Sequence, residues 1–326
     1  MIKNYLIIPL LILSVGFCQQ KKTDKPNPMK GIKTQTVIVY VYENLIRKNI
    51  SKYDSNGNKV EDSSYDSEGS LNWKHVKKYD SNGNMVEELS YYSDGKRNKK
   101  SIWKYDSNGN VVEGSDYDSE GSSSGKHVKK YDSNGNMVEL SIYDSDGNLG
   151  RQYIYKYDSN GNKVENMGYN PDGSDREIDR QYIYKYDSNG NKVEGSIYDL
   201  DGKLDKKSIF KYDSNGNMVE GLFYDSEGSL SGKSIYKYDS NRNKVEMSNY
   251  DSEGSLFWTY IYKYDSNGNM VERFFYDSDE KLDRKYIWKY NDKNRLVVII
   301  KYKHELKFGE LQQIPIQKTT YDYEEY

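Results

Sequence analysis

Aromatic and apolar residues recur along this chain at a fixed interval, and short polar segments rich in Asp, Asn, Ser and Gly separate them. The string Tyr-Asp-Ser-Asn begins every 26 residues, except for one interval of 29, and a degenerate copy begins at Tyr290. A second tyrosine follows each main tyrosine after 12 residues, so each repeat has two halves. Such regular self-similarity indicates a tandem-repeat protein, in which the main tyrosines are Tyr53, Tyr79, Tyr105, Tyr131, Tyr157, Tyr186, Tyr212, Tyr238 and Tyr264.

Each half-repeat is predicted to open with a tight turn. Residues 170–173 read Asn-Pro-Asp-Gly, which suits a type I turn followed by a left-handed glycine, because proline presets the first central φ and glycine accepts a positive φ. The recurring Asp-Ser-Asn-Gly and Asp-Ser-Glu-Gly segments fit the same positions and predict hairpins with a bulge at the glycine. Arg242 and Glu280 stand where that glycine is expected, which predicts local strain or an altered turn.

Counting from these turns pairs Tyr105 with Val111 and fixes which residues share a face, because strand residues alternate between faces. One face is predicted to carry both tyrosines of each repeat, the leucines after the second turn, and a mostly aromatic site two residues before the main tyrosine. The other face is predicted to carry a stripe of β-branched residues. Val112, for example, is placed directly opposite Val128.

The two halves of a repeat are 12 and 14 residues long. With equal turns, the pairing shifts by two residues every two strands, a slope of about 3.3 Å per 4.8 Å that resembles the tilt of barrel strands. We therefore predict an all-β, tandem-repeat antiparallel meander of about 20 strands that coils into a spiralling, solenoid-like single sheet. The repeats cover residues 53–290, with capping strands at 36–52 and 291–316 and a polar tail at 317–326.

Composition limits how much core this sheet has. Hydrophobic residues make up 35% and charged residues 30% of the chain, which leaves less core than typical soluble domains have. The 35 tyrosines argue against disorder, because disordered chains are poor in aromatic residues. The 48 basic and 51 acidic residues interleave and give a net charge of −3, so the sequence lacks the basic stripe that nucleic-acid binding needs.

The N-terminus differs from the repeats. One basic residue precedes the apolar run at 5–15, which is too short for a membrane-spanning helix, and the chain's single cysteine, Cys18, follows. This order resembles a bacterial lipoprotein signal, and the resemblance implies that lipidated Cys18 begins the mature protein, although Phe17 stands where the pattern prefers a small residue. The alternative is a simple secretory signal. We predict a signal at 1–18, a polar tether at 19–35, and a location at the bacterial outer membrane or cell surface.

The motif Tyr-Asp-x-x-Gly-Asn/Arg, recurring over residues 53–290, resembles the YD repeat of bacterial RHS-type proteins. The resemblance implies a surface or secreted β-sheet spiral, associated in some members with carbohydrate binding or with enclosing a C-terminal toxin. The chain departs from that family in being too short for a closed shell and in lacking a distinct toxin domain after residue 303. Its alternation of Tyr with Gly-Asn or Gly-Lys also resembles a MORN-variant repeat, which implies a twisted β-meander.

Residues suited to catalysis or metal binding are sparse. His75 and His127 occupy the same repeat position four strands apart, about 19 Å, and His304 stands alone. With one cysteine there is no Ser/His/Asp or Cys/His arrangement, so we predict no enzyme activity, no cofactor and no metal. Residues 144–148 and 199–205 resemble fragments of calcium loops but supply too few oxygens. Turn aspartates that bond their own backbone explain these fragments better.

The aromatic site two residues before the main tyrosine is the predicted ligand-binding face, because its rings recur about every 9.6 Å and suit stacking on sugars. The alternative is that the rings shield a single-layer sheet. The sequence indicates a non-enzymatic surface scaffold anchored to a bacterial membrane. The alternatives are a carbohydrate-binding module and an immunity-type protein that binds another protein. The predicted ligand-contacting residues are Trp103, Tyr155, Tyr184, Phe210, Tyr236, Tyr262 and Trp288.

Overall fold

The computed structural model describes residues 29–170, 177–307 and 310–326. These residues form only strands and turns, and they contain no helix that could span a membrane. The strands are β1 (Ile32–Val41), β2 (Asn44–Tyr53), β3 (Lys59–Tyr65), β4 (Leu71–Tyr79), β5 (Met85–Tyr91), β6 (Arg97–Tyr105), β7 (Val111–Tyr117), β8 (Ser123–Tyr131), β9 (Met137–Tyr143), β10 (Leu149–Tyr157), β11 (Lys163–Asn170), β12 (Glu177–Tyr186), β13 (Lys192–Tyr198), β14 (Leu204–Tyr212), β15 (Met218–Tyr224), β16 (Leu230–Tyr238), β17 (Lys244–Asp251), β18 (Leu256–Tyr264), β19 (Met270–Tyr276), β20 (Leu282–Tyr290), β21 (Leu296–Lys307) and β22 (Glu310–Glu325).

The sheet closes into a barrel. Each strand pairs antiparallel with the next along the chain, and β22 pairs antiparallel with β1 from Val41↔Gln317 to Ile32↔Glu325. The predicted all-β antiparallel meander is therefore confirmed, and the sheet that was expected to spiral in a solenoid-like way is instead a closed barrel. Closure is favourable because it pairs the two edges that an open sheet would leave exposed. Residues 32–35, predicted as tether, belong to β1, and residues 317–325, predicted as polar tail, belong to β22.

The predicted slope of the strands is present and accounts for the curvature. Pairing leads from Ile102 to Ser115 and on to Lys126, which is two residues short of Val128, the repeat equivalent of Ile102. A circular barrel of 22 strands with this slope has a diameter of about 40 Å. Throughout the described ranges, strands contact only their neighbours in the sheet. The barrel wall is thus a single layer with little core, and Phe210 is one of its few buried apolar residues.

The turns have the predicted geometry. Asp106 donates its backbone N–H to the carbonyl of Asn110 at 2.9 Å, and Gly109 donates to the carbonyl of Asp106 at 3.1 Å with φ at +82°. The Asp106 carboxylate also accepts from Asn110 through both its backbone and its side chain. Arg242 and Glu280 keep this turn unaltered and adopt φ of +65° and +59°, a strained region for residues with a Cβ. The turn at 170–173 lies largely outside the described residues.

A second bulge beside each main turn changes the predicted faces. Tyr105 pairs with Val111 as predicted, but Lys104 pairs with Glu113, so Val112 is an extra residue without a partner of its own. Glu113 rather than Val112 therefore lies opposite Val128, and the predicted β-branched stripe is wrong. The same shift moves the second tyrosine of each repeat to the opposite face from the main tyrosine.

We call the face that carries the second tyrosines the charged face. Lys78 and Lys100 bind the Glu87 carboxylate at 2.7 and 2.9 Å, and equivalent lysine–glutamate pairs recur around the barrel. The leucines predicted for the other face pair in register with the second tyrosines, as in Leu149↔Tyr143, which corrects their assignment too. Because one partner of most pairs is well exposed, each contributes at most about 1 kcal/mol.

The main tyrosines link neighbouring hairpins. The hydroxyl of Tyr105, at the end of β6, donates to the carbonyl of Met85 at the start of β5, 2.7 Å away. That carbonyl precedes the bulged residue of its own hairpin, and no turn joins β5 to β6 at this edge. The same bond recurs once per repeat and ties successive hairpins together, with donors Tyr79, Tyr105, Tyr131, Tyr157, Tyr186, Tyr212, Tyr238, Tyr264 and Tyr290.

Candidate functional site

The aromatic residues singled out from the sequence lie on the same face as the main tyrosines, because they stand two residues before them in the same strands. Trp103 in β6 is separated from the others by β8, which has Lys129 at the equivalent position. The remaining six residues occupy every second strand from β10 to β20. We call this set the aromatic ladder and the face that carries it the ladder face; its members are Tyr155, Tyr184, Phe210, Tyr236, Tyr262 and Trp288.

Two ladder rings lie over glycines of the neighbouring strand. Tyr184 pairs with Gly195 and Phe210 pairs with Gly221. A Cβ at either glycine would meet the ring at 3.6 Å, which is ordinary van der Waals contact. A methyl group would therefore fit beside either ring, and the position of the ring does not depend on the glycine.

Lysine side chains lie between the ladder rings. The Nζ of Lys163 is 5.3 Å from the ring centre of Tyr155 and 5.6 Å from that of Tyr184. Lys192 lies similarly between Tyr184 and Phe210 at 5.3 and 5.2 Å. These distances permit cation–π attraction. Each ammonium therefore covers the faces of two successive rings.

The same arrangement continues along the ladder. The Nζ of Lys244 lies 5.7 Å from the ring centre of Tyr236 and 5.3 Å from that of Tyr262. The guanidinium of Arg273 lies 4.3 Å from the ring centre of Tyr286 and 5.7 Å from that of Trp288. Lys163, Lys192 and Lys244 each pair with a main tyrosine. In two other repeats a methionine, Met218 or Met270, pairs with the main tyrosine instead.

Burial changes the acidity of these groups. It lowers the pKa of the Lys163, Lys192 and Lys244 ammonium groups. It also raises the pKa of Tyr155 and Tyr184 to about 12, because the phenolate is disfavoured away from water. Both effects arise from partial desolvation without a compensating carboxylate.

The ladder cations have few acceptors. Within the described residues, Lys163, Lys192 and Lys244 form no ion pair, and the Nε of Arg273 is buried without a hydrogen-bond partner. Four further cations lie on the ladder face, each four residues before the ladder residue of its strand. Two of these meet bulge aspartates, Arg284 with Asp283 at 2.9 Å and Arg180 with Asp205 at 3.9 Å; the four are Arg151, Arg180, Lys206 and Arg284.

Several cations on the ladder face of β3–β8 pair with carboxylates. Lys77 replaces the ring in β4 and lies 3.4 Å from the Glu88 carboxylate, which also lies 3.4 Å from the Nδ1 of His75. Lys99 binds Asp116 at 3.0 Å. Lys59, the equivalent of Lys163, binds Asp62 at 3.2 Å. Each of these cations therefore has a carboxylate partner on its own face.

Other candidates from the sequence do not assemble into a site. No group of three or more His, Cys, Asp or Glu side chains in the described ranges could hold a metal ion. His75 hydrogen-bonds to Ser90 at 3.1 Å, whereas burial lowers the pKa of His127, whose ring lies over Gly114. The Asp144 carboxylate accepts hydrogen bonds from the backbone of its own turn, as expected for the calcium-like segments. The predicted lipidation site, Cys18, lies outside the described residues.

The ladder lysines were missed by the sequence analysis. They pair with the main tyrosines, as Lys163 does with Tyr157, at a position that the predicted register already places on the ladder face, but no role was predicted for a lysine there. A signal for them is present in the sequence: the residue after Asn-Gly-Asn or Asn-Arg-Asn is lysine or methionine in every repeat except one, which has Val111.

No protein-family model matches the chain, and no curated protein matches its sequence. Among solved structures, the crystal structure of TcdB2-TccC3 is 12% identical over 84% of this chain, with a TM-score of 0.35. The chain spans only 17% of the length of that structure. A porin-like protein from Bacteroides uniformis is 9% identical over 91% of this chain and 99% of its own, with a TM-score of 0.32. A porin-like protein from Bacteroides vulgatus is 13% identical over 73% and 93%, with a TM-score of 0.28.

Proposed function

We propose that this protein is a non-enzymatic scaffold at the surface of a bacterium, held to a membrane by lipid on Cys18, which presents side chains on a closed β-barrel. The closed wall carries the proposal: β22 pairs with β1, one turn geometry recurs between successive strands from β2 to β11 and from β12 to β21, and a tyrosine hydrogen bond recurs in each repeat. Such a wall offers a large ordered surface with little core. The Tyr-Asp turn motif that resembles the YD repeat supports a surface location.

Metabolic labelling tests the lipid anchor. Cells that express the full chain with a labelled palmitate analogue should yield labelled protein in the membrane fraction, and Cys18→Ser should lose both label and membrane association. Phe17→Ala serves as the matched variant, because it restores the small residue that the signal pattern prefers, and it should increase labelling. Wild-type protein that is secreted without label would overturn the anchor.

A second candidate function, carbohydrate binding, is favoured by the aromatic ladder. Its rings recur on alternate strands over β10–β20, and most of them are partly exposed. A glycan array with purified full-length protein tests this function. Tyr155→Ala combined with Trp288→Ala should weaken any signal, whereas Trp73→Ala, which changes a ring on the ladder face outside the ladder, should leave it intact. Equal loss in both variants would argue against the ladder as the site.

A further inference from the structure

The ladder differs from a row of open aromatic platforms. Lys163 and Lys192 lie over the faces of the rings on either side, so those faces are covered along much of the row. What remains for a ligand is the outer rim of the row, where ammonium groups alternate with ring edges and tyrosine hydroxyls. The hydroxyls of Tyr155 and Tyr184 have no hydrogen-bond partner among the described residues.

This rim consists of donors without matching acceptors. Lysine ammonium has three donors and no acceptor, and arginine has five donors and no acceptor. Within the described strands from β10 to β20, the carboxylates that approach ladder-face cations are the bulge residues Asp205 and Asp283, and both pair with arginines. The half-buried cations at Lys163, Lys192, Lys244 and Arg273 are left for an external anion.

We propose that the ladder face of β10–β20 binds an acidic glycan, whose chain crosses the strands and whose carboxylates meet Lys163, Lys192 and Lys244. This inference rests on the carbohydrate-binding candidate and specifies its ligand. Hydrogen bonds between ammonium and carboxylate are strengthened by charge and by partial exclusion of water. The ring edges and tyrosine hydroxyls between the cations contact the sugar rings and their hydroxyl groups.

The spacing of the cations favours a polysaccharide. Lys163 and Lys192 stand two strands apart and are offset by two residues along the strands, so their backbones are about 12 Å apart, which is comparable to the length of a disaccharide unit. A chain of alternating or repeated uronic acids therefore places a carboxylate near each lysine without stretching. Met218 interrupts the series between Lys192 and Lys244, so one anionic group of the bound chain would face a thioether.

A matched pair of polymers tests the proposal. The probes are polygalacturonic acid and the same polymer with its carboxyl groups reduced to alcohols, titrated calorimetrically into the full-length protein purified in detergent. We expect the acidic polymer to bind about tenfold tighter or more, because each charge-assisted hydrogen bond contributes roughly that factor. Added salt should weaken binding of the acidic polymer and leave binding of the reduced polymer unchanged. Polyglutamate of similar length provides a polyanion without sugar rings.

The repeats supply natural substitutions for the variants. Lys163→Met, Lys192→Met and Lys244→Met together place at each position the residue that sister repeats already have, so the fold should be retained, and a thermal melt checks this. The triple variant should bind both polymers equally weakly. The control combines Lys156→Met, Lys185→Met and Lys237→Met, which removes the same charge from the charged face and should keep wild-type binding. Met218→Lys should tighten binding of the acidic polymer by filling the gap.

Each outcome has a distinct meaning. Equal weakening in the two triple variants would show a net-charge effect and overturn the site. Binding of the reduced polymer alone would overturn the acidic ligand but leave carbohydrate binding standing. Polyglutamate binding as tightly as polygalacturonic acid would overturn the sugar component. Failure of both glycans to bind, with other glycans bound on the array, would overturn this inference alone; failure of every glycan would overturn the carbohydrate candidate as well.

Discussion

The ladder face has the same backbone in β3–β8 and in β10–β20 but different side chains. In the first region, cations such as Lys59 and Lys99 have carboxylates within 3.2 and 3.0 Å. In the second region, Lys163, at the position of Lys59, lies over two rings and has no ion pair with a described residue, because Asn166 stands at the position of Asp62. The turns, the strand pairing and the tyrosine hydrogen bonds are the same in both regions, and we call them the frame. The side chains at a few positions on this frame decide whether a cation pairs with a carboxylate of the protein or stays unpaired.

The frame itself is common to both regions. Tyr79 in the first region and Tyr212 in the second each donate a hydroxyl hydrogen bond of 2.8 Å to the preceding hairpin. The turn of Asp80 and that of Asp213 close with identical 2.9 Å backbone hydrogen bonds. Differences in behaviour between the regions should therefore come from ladder-face side chains and not from the turns.

Acid should produce the largest effect and should affect both regions alike. Hydrogen bonds from Lys78 and Lys185 lower the pKa of Glu87 and Glu194 below the ordinary value of 4.5. A carboxylate with a lowered folded-state pKa stabilises the protein above its unfolded pKa, and this contribution is lost as pH falls through the folded pKa. We expect the Tm to fall progressively below about pH 4.5 in circular dichroism melts. Hydrogen exchange that accelerates in one region only would contradict a common frame.

Alanine at two equivalent glycines should separate the regions most sharply among single substitutions. A Cβ at Gly114 would stand 2.1 Å from the His127 ring, whereas one at Gly195 would stand 3.6 Å from the Tyr184 ring. Gly114→Ala forces the imidazole aside and should lower the free energy of unfolding by about 1–3 kcal/mol. Gly195→Ala should change it by about 1 kcal/mol or less, because alanine also restricts the unfolded chain. Urea denaturation measures both, and similar losses would refute the difference in packing.

Removal of a main-tyrosine hydroxyl should lower the free energy of unfolding by the same amount in the two regions. Tyr79→Phe and Tyr212→Phe each leave a carbonyl beside a bulge without its donor, which lowers the free energy of unfolding by about 1 kcal/mol. The matched control is Tyr117→Phe, since Tyr117 is a second tyrosine on the charged face that does not link hairpins. Tyr79→Phe and Tyr212→Phe values that differ by more than the measurement error would show that the frame is not uniform.

Two opposite substitutions at one repeat position should give each region the charge pairing of the other, with the smallest effect on stability. Asp62→Asn leaves Lys59 without its partner, and Asn166→Asp places a carboxylate beside Lys163 at the equivalent position. We expect changes of opposite sign, each about 1 kcal/mol or less. Calorimetric titration should show that Asn166→Asp weakens polygalacturonic acid binding. Unchanged binding would indicate that Lys163 does not contact the acidic chain.

Much of the frame could be predicted from the sequence because its causes are local. The Asp-x-x-Gly turn depends on four adjacent residues, and the pairing of Tyr105 with Val111 follows from it. The aromatic ladder could be placed beside the main tyrosines because Tyr184 and Tyr186 belong to one uninterrupted strand, whatever happens at its ends.

Non-local features could not be predicted in this way. The bulge at Val112 has no residue type that signals it, and it moves Glu113 and Tyr117 to the face opposite the one counted from the turn. Closure depends on β1 meeting β22, which are separated by almost the whole chain and do not resemble the repeat. The local pattern therefore predicted the strand and its turn correctly but not the shape of the whole sheet.

Because β1 pairs with β22, the number of repeats sets the circumference of the whole barrel. In an open array, a 26-residue unit can be gained or lost and its distant neighbours keep their geometry. Here each unit supplies one hairpin to a continuous wall, so losing one would narrow the circumference by two strands and bend every remaining contact between neighbours. Gene duplication within this sequence would thus change diameter in discrete steps, and each viable copy number would define a ring of its own size.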